Sequence, residues 1–183
     1  MKRKILILSV LAICIATFAA GTIAFFTAEG KAHNVITTGG VEIAVQEWAD
    51  DEKTKPFENL SGVMPNTTVT KIAEVKNTGA SDAWVRVKVE KNIKLQGEGT
   101  PDTGLVELKC NTVDWTEKDG YYYYKEALKP GEVTAPIFTA VTFKPEMGNE
   151  YQNATATVDV SAQAVQTANN GDTVMDAKGW PNS

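Results

Sequence analysis

From residue 154 to residue 166 the side chains alternate one by one, with Ala156, Val158, Val160, Ala162 and Ala164 on one phase and Thr155, Thr157, Asp159, Ser161 and Gln163 on the other. Period two sends successive side chains to opposite faces of a strand, so this stretch predicts a long strand with one buried face. Its small inward residues predict close packing against a facing sheet.

Shorter versions of the pattern recur along the chain. Val41, Ile43 and Val45 alternate with Glu42, Ala44 and Gln46. Thr67 to Lys76 is rich in Thr and Val, and in Ala83 to Val89 the residues Val85, Val87 and Val89 point one way while Trp84, Arg86 and Lys88 point the other. Leu105 to Cys110 and Val133 to Phe143 read as extended, and Asp119-Gly120 between Asp114-Trp115 and Tyr121 to Lys125 predicts a tight hairpin. Lys129-Pro130-Gly131-Glu132 predicts a type II turn. Beyond the N-terminal segment no long stretch repeats at helical spacing, although Val165 to Asn170 fits a short helical turn, and seven prolines oppose long helices. Many short strands with turn residues between them predict an all-β chain, a two-sheet sandwich of the jelly-roll type preceded by an N-terminal signal helix.

Lys2, Arg3 and Lys4 followed by the uncharged stretch Ile5 to Ala20 and small residues form a secretory signal pattern, with the cut expected after Ala24, before Phe25. The uncharged stretch continues to Ala28, so a retained anchor fits the same residues. Cleavage removes three basic residues and no acidic ones from a chain of net charge -5. The exported product is then acidic and self-repelling, without the basic surface that nucleic-acid binding requires. Cys14 leaves with the signal, which leaves Cys110 without a disulfide partner and reads as a buried small hydrophobe. The expected segments are 1–24 as signal, 25–38 as an extended N-terminal segment, 39–168 as the domain and 169–183 as a tail. The runs 50–64 and 169–183 look like linkers, and Asp50-Asp51-Glu52 reads as a solvated loop rather than a cation site.

Gly21-Thr22-Ile23-Ala24-Phe25-Phe26-Thr27, followed by Asn34 and Thr38-Gly39-Gly40-Val41, resembles the signal junction of Gram-positive proteins exported through the dedicated peptidase SipW, the family of TasA and camelysin. Val75-Lys76-Asn77-Thr78-Gly79, Ala83 to Val89, Tyr121 to Glu132 and Ala162-Gln163-Ala164-Val165-Gln166 extend the resemblance in the same order. It implies a jelly-roll domain released by a SipW-type signal peptidase, in contact with the membrane only before the cut. Such a protein is a subunit or accessory of biofilm-matrix fibres at the cell surface, built from itself head to tail or with related matrix subunits. In that family the new N-terminal segment completes the sheet of the next subunit, and here Phe25, Phe26, Val35 and Ile36 are the expected anchors. Strand addition of this kind satisfies backbone groups and does not close on itself. The alternatives, a first strand of the segment's own domain or a loose terminus, fit the same residues.

A camelysin-type metallopeptidase is also suggested by the family label, but a zincin needs two histidines one helical turn apart and the chain has one, His33. No Gly-x-Ser-x-Gly elbow or Cys-His pair is present, and no catalytic residue, metal or cofactor is expected. The remaining reading is a carbohydrate- or protein-binding module, with Trp84, Tyr121, Tyr122, Tyr123, Tyr124 and Trp180 as its possible surface contacts. Cross-strand aromatic pairs that stiffen the sheet are the plainer account of the tyrosines.

Overall fold

The computed structural model describes residues 26–29, 32–37, 40–58 and 60–181, so the predicted signal helix, Ala24 and Phe25 lie outside the described residues. The fold is all-β with almost no helix. The strands are β1 (Phe26–Glu29), β2 (Ala32–Thr37), β3 (Ile43–Trp48), β4 (Leu60–Val63), β5 (Thr67–Asn77), β6 (Ala83–Lys94), β7 (Val106–Leu108), β8 (Trp115–Lys118), β9 (Tyr121–Tyr124), β10 (Phe138–Phe143) and β11 (Ala154–Gln166). One sheet runs β4-β1-β11-β6-β9-β8, with β2 also on β11, and the other runs β3-β5-β10-β7.

The alternation read from residues 154 to 166 is the spine of the larger sheet. β11 pairs antiparallel with β6 from Thr155↔Lys94 to Gln166↔Ala83 without a break. That pairing explains why β6 runs on to Lys94, past the expected end at Val89: a long partner ladder holds a polar stretch extended that its own pattern does not mark. Ala156, Val158, Val160, Ala162 and Ala164 all face the core, and the last two are fully buried. Across from them lie Val75, Phe138, Val141 and Phe143 of the second sheet, so one core is lined from both sheets.

Turn chemistry places the edges. Asp119 and Gly120 adopt φ of 52° and 78°, the two left-handed positions of a hairpin that pairs Lys118 with Tyr121. Glu132 donates its N–H to the Lys129 carbonyl at 3.0 Å and closes the predicted Pro130-Gly131 turn. The strand expected over Leu105 to Cys110 shrinks to β7, because a 3-10 turn over Thr103–Leu105, capped by Asp102, takes up its start. The linker expected over 50–64 contains β4, a strand too short to show a period. At the other end, Val165 and Gln166 stay in β11 and a single turn follows, closed by Asn170 N–H on the Thr167 carbonyl, rather than the helical turn that Val165 to Asn170 suggested.

Asn77, fully buried at the end of β5, joins two turns. Its amide nitrogen donates to the carbonyls of Ser81 and Leu128, both at 2.8 Å, and its side-chain oxygen accepts from Gly79 N–H at 2.9 Å. Gly79 lies so close to the chain before β3 that a Cβ there would meet the Glu42 nitrogen at 2.7 Å. Replacement Asn77→Ala strips donors from two carbonyls at once and is expected to lower stability by about 2–4 kcal/mol. Urea unfolding checks this: the midpoint should fall with an unchanged m-value.

Candidate functional site

β11 has a second edge, and the N-terminal segment lies along it. β1 pairs with it in parallel from Phe26↔Ala154 to Glu29↔Thr157, and β2 continues from Ala32↔Val160, shifts by one, and runs to Thr37↔Ala164. The offset is the same at Glu29 and at Ala32, so the two short strands track β11 as one line. On its far side β1 pairs antiparallel with β4, Phe26 opposite Val63 and Ala28 opposite Leu60. Of the expected anchors, Phe26, Val35 and Ile36 therefore fall in strands that pair with β11 of the same chain, while Phe25 lies outside the described residues. A parallel strand added to an edge supplies main-chain partners to the N–H and C=O groups along it.

The opposite flank of the same sheet carries an arginine clasp. Arg86 on β6 stands beside Tyr123 on β9 and Gln163 on β11 in the register. Its Nε donates to Gln163 Oε1 at 2.7 Å, its Nη1 to Tyr123 OH at 3.2 Å and its Nη2 to the Pro181 carbonyl at 3.3 Å. The guanidinium lies 4.0 Å from the centroid of the Tyr121 ring and 4.7 Å from that of Trp180. Planar stacking with several donors in use at once is available to arginine and not to lysine. Trp180 meets Tyr123 edge-on at 5.9 Å and donates its indole N–H to the Ala177 carbonyl.

The tail is thereby folded back onto the sheet. Val174 and Ala177 pack with Trp84 and Val165 in a small second core, and Trp84 is 7% exposed. Asn170 holds the crossing through hydrogen bonds with Lys178 on both its amide nitrogen and oxygen. The aromatic platform expected over Trp84 and Tyr121 to Tyr124 is thus divided. Trp84 and Tyr123 are buried with the tail, Tyr122 and Tyr124 turn toward the main core, and Tyr124 meets Trp115 at 5.0 Å. What sequence reasoning missed is the role of Arg86, whose partners come from three separate stretches of chain.

Cys110 is half-buried just beyond β7, beside a cleft of about 410 Å³ lined by Lys109, Val113 and Phe138. Burial pushes its thiol above the usual cysteine range, against a hydrogen bond with Tyr122 that pulls the other way. Tyr122, desolvated beside it, is raised well above the usual tyrosine range. A thiol held protonated is a poor nucleophile. At the start of the predicted linker, Asp50 accepts from the Thr54 hydroxyl and from the N–H groups of Thr54 and Lys55, and the hydroxyl bond above all holds its carboxyl below the usual range. It is the cap of a solvated turn.

Among the described residues no group of three or more His, Cys, Asp or Glu is placed to hold a metal ion, and no helix is long and apolar enough to cross a membrane. No family model matches the chain, and neither a curated protein nor a solved structure does.

Two outcomes follow from this geometry. Arg86→Lys is expected to cost about 1–2 kcal/mol by losing the stacking and the fork of donors. Hydrogen exchange should then show residues 170–181 losing protection first, and unchanged protection there would mean the clasp does not hold the tail. Alkylation of Cys110 at pH 8 should run several-fold slower than that of free cysteine and speed up in urea, because unfolding returns the thiol to its ordinary range.

Proposed function

We propose that the chain is an exported structural protein of the cell surface, a subunit or accessory of extracellular matrix fibres built on a jelly-roll-type sandwich. In the fibre, residues 25–38 of one copy take the second edge of β11 in the next. The observation that carries this reading is the make-up of that edge. A strand of thirteen residues has one side laddered to β6 from Thr155 to Gln166, and its other side is covered by two short strands, β1 and β2. Backbone pairing of this sort is satisfied equally well by the same segment from a neighbour, and a head-to-tail exchange does not close.

The sequence adds the rest of the argument. The segment begins directly after the expected cut at Ala24, and the junction, the Asn77-Thr78-Gly79 turn and the final strand resemble the TasA and camelysin family. Before the cut, the start of the donor is tethered to the membrane, which keeps it from lying along the edge of a neighbouring copy. Release by a SipW-type peptidase frees the segment for a neighbour and makes processing the switch for assembly. The clasp around Arg86 occupies the aromatic face, and for this reason the fibre reading is preferred to a carbohydrate-binding module.

Sedimentation tests the proposal. A chain beginning at Phe25 is expected to form rapidly sedimenting polymer, and one beginning at Thr38 is expected not to extend at matched concentration. A synthetic peptide of residues 25–38, in excess, should stop growth of the longer chain by occupying the edge. If the longer chain stays monomeric at every concentration tried, or grows equally well with the peptide present, the reading fails.

A further inference from the structure

Between the two sheets, β3 and β5 bring a lysine and a glutamate together out of reach of water. The side chains of Lys71 and Glu47 are 1% and 5% exposed, and Nζ lies 2.7 Å from Oε1. Glu47 pairs with Ala73 in the ladder, which sets Lys71 at the next inward position of the neighbouring strand. The ring of Phe57 closes the site 4.1 Å from Nζ, held there by its N–H on the Glu47 carbonyl.

The contact is short, yet neither Nζ nor Oε1 makes an aligned hydrogen bond. Two opposite charges in a dry interior recover their desolvation cost only through well-directed bonds. Burial pushes the Lys71 ammonium below the usual lysine range, against the opposing pull of Glu47. Transfer of one proton from Nζ to the carboxylate gives an amine and a carboxylic acid, the two groups from which an amide condenses. Held in contact, the two have an effective concentration far above any in solution, and the water that would reverse a condensation is excluded.

We propose that Lys71 and Glu47 join in an intramolecular amide cross-link. The Nζ lone pair adds to the Glu47 carboxyl carbon and forms the new C–N bond. A second Nζ proton passes to the hydroxyl oxygen, the C–O bond breaks, and one water leaves with its electron pair. Nothing is oxidised or reduced and no co-reactant enters. The product ties the edge strand β3 to β5 and replaces two buried charges with a neutral amide. In a chain whose described residues hold a single cysteine, it supplies a covalent closure that no reductant opens.

Intact mass of the purified full-length or processed protein, after incubation at neutral pH, is expected to be one water below the calculated value. A tryptic digest should yield a branched peptide joining residues 32–53 to residues 54–76, with cleavage at Lys71 blocked. A linear peptide of residues 32–76 has the same mass, so N-termini are counted by stepwise Edman degradation: the branched form releases two residues in the first cycle, Ala32 and Thr54, and the linear form only Ala32. Lys71→Arg keeps the positive charge in place and should appear at its full calculated mass. Wild-type protein at full mass overturns the proposal. So does loss of water in Lys71→Arg, or a loss that maps elsewhere, such as a succinimide at Asp119-Gly120.

Discussion

The second edge of β11 is the constraint on which the rest of the architecture depends. β6 matches β11 residue for residue on one side, which makes β11 long, and length on one side obliges an equal row of backbone N–H and C=O groups on the other to find partners. Its inward face is made of Ala and Val that close-pack on the second sheet, so the strand has no freedom to twist away and hide that row. The N-terminal segment answers the need in parallel, and β4 answers it in turn for β1. A domain built this way is incomplete without β1 and β2.

The two terminal segments are held by opposite kinds of chemistry. The N-terminal one pairs with β11 along its main chain. The C-terminal one is held by side chains: a small core of Val174 and Ala177 on Trp84 and Val165, and a guanidinium that reads Tyr121, Tyr123, Gln163, Trp180 and the Pro181 carbonyl together. Backbone ladders tolerate exchange between copies, whereas a clasp made of specific side chains fixes one partner. The fold thus holds its two terminal segments by unlike means, main-chain pairing on β11 for one and side-chain contacts for the other.

Period and turn chemistry made β5, β6, β11 and the β8–β9 hairpin legible from the sequence, because each is specified within a dozen neighbouring residues. β4 was not legible, since Leu60-Ser61-Gly62-Val63 is too short for alternation and owes its strand to pairing with Phe26 and Ala28. The tail looked like a linker for a related reason. Val174, Ala177 and Trp180 are too sparse to signal burial, and their sites on Trp84, Val165 and Tyr123 are set by strands far away in the chain. Arg86 looked like one of two outward basic residues with Lys88, and nothing local distinguishes the one that is clasped from the one that pairs with Glu90 at the surface. Motif resemblance marked Asn77-Thr78-Gly79 without giving its physical cause, which is a buried amide spanning two turns and a glycine against the Glu42 backbone.

Buried polar groups in this fold collect where β3 meets β5. On one face of that pair Glu47 meets Lys71. On the other, Glu74, 3% exposed, accepts the Trp48 indole N–H at 2.9 Å and is bound by Lys53 from the covering loop. β3 is the edge of its sheet and is followed by the loop that crosses to β4 in the other, so its register has to be fixed before β4 can reach β1. An apolar pair would tolerate a slip of two residues that keeps the same face inward, but a glutamate displaced from its lysine or indole would leave buried charge unpaired at a cost of several kcal/mol. Alternating carboxylates at 47 and 74 on opposite faces of the pair penalise every such slip. The polar residues of β3 therefore hold the register that delivers β4, and through β4 the far edge of β1, to the strand that most needs covering.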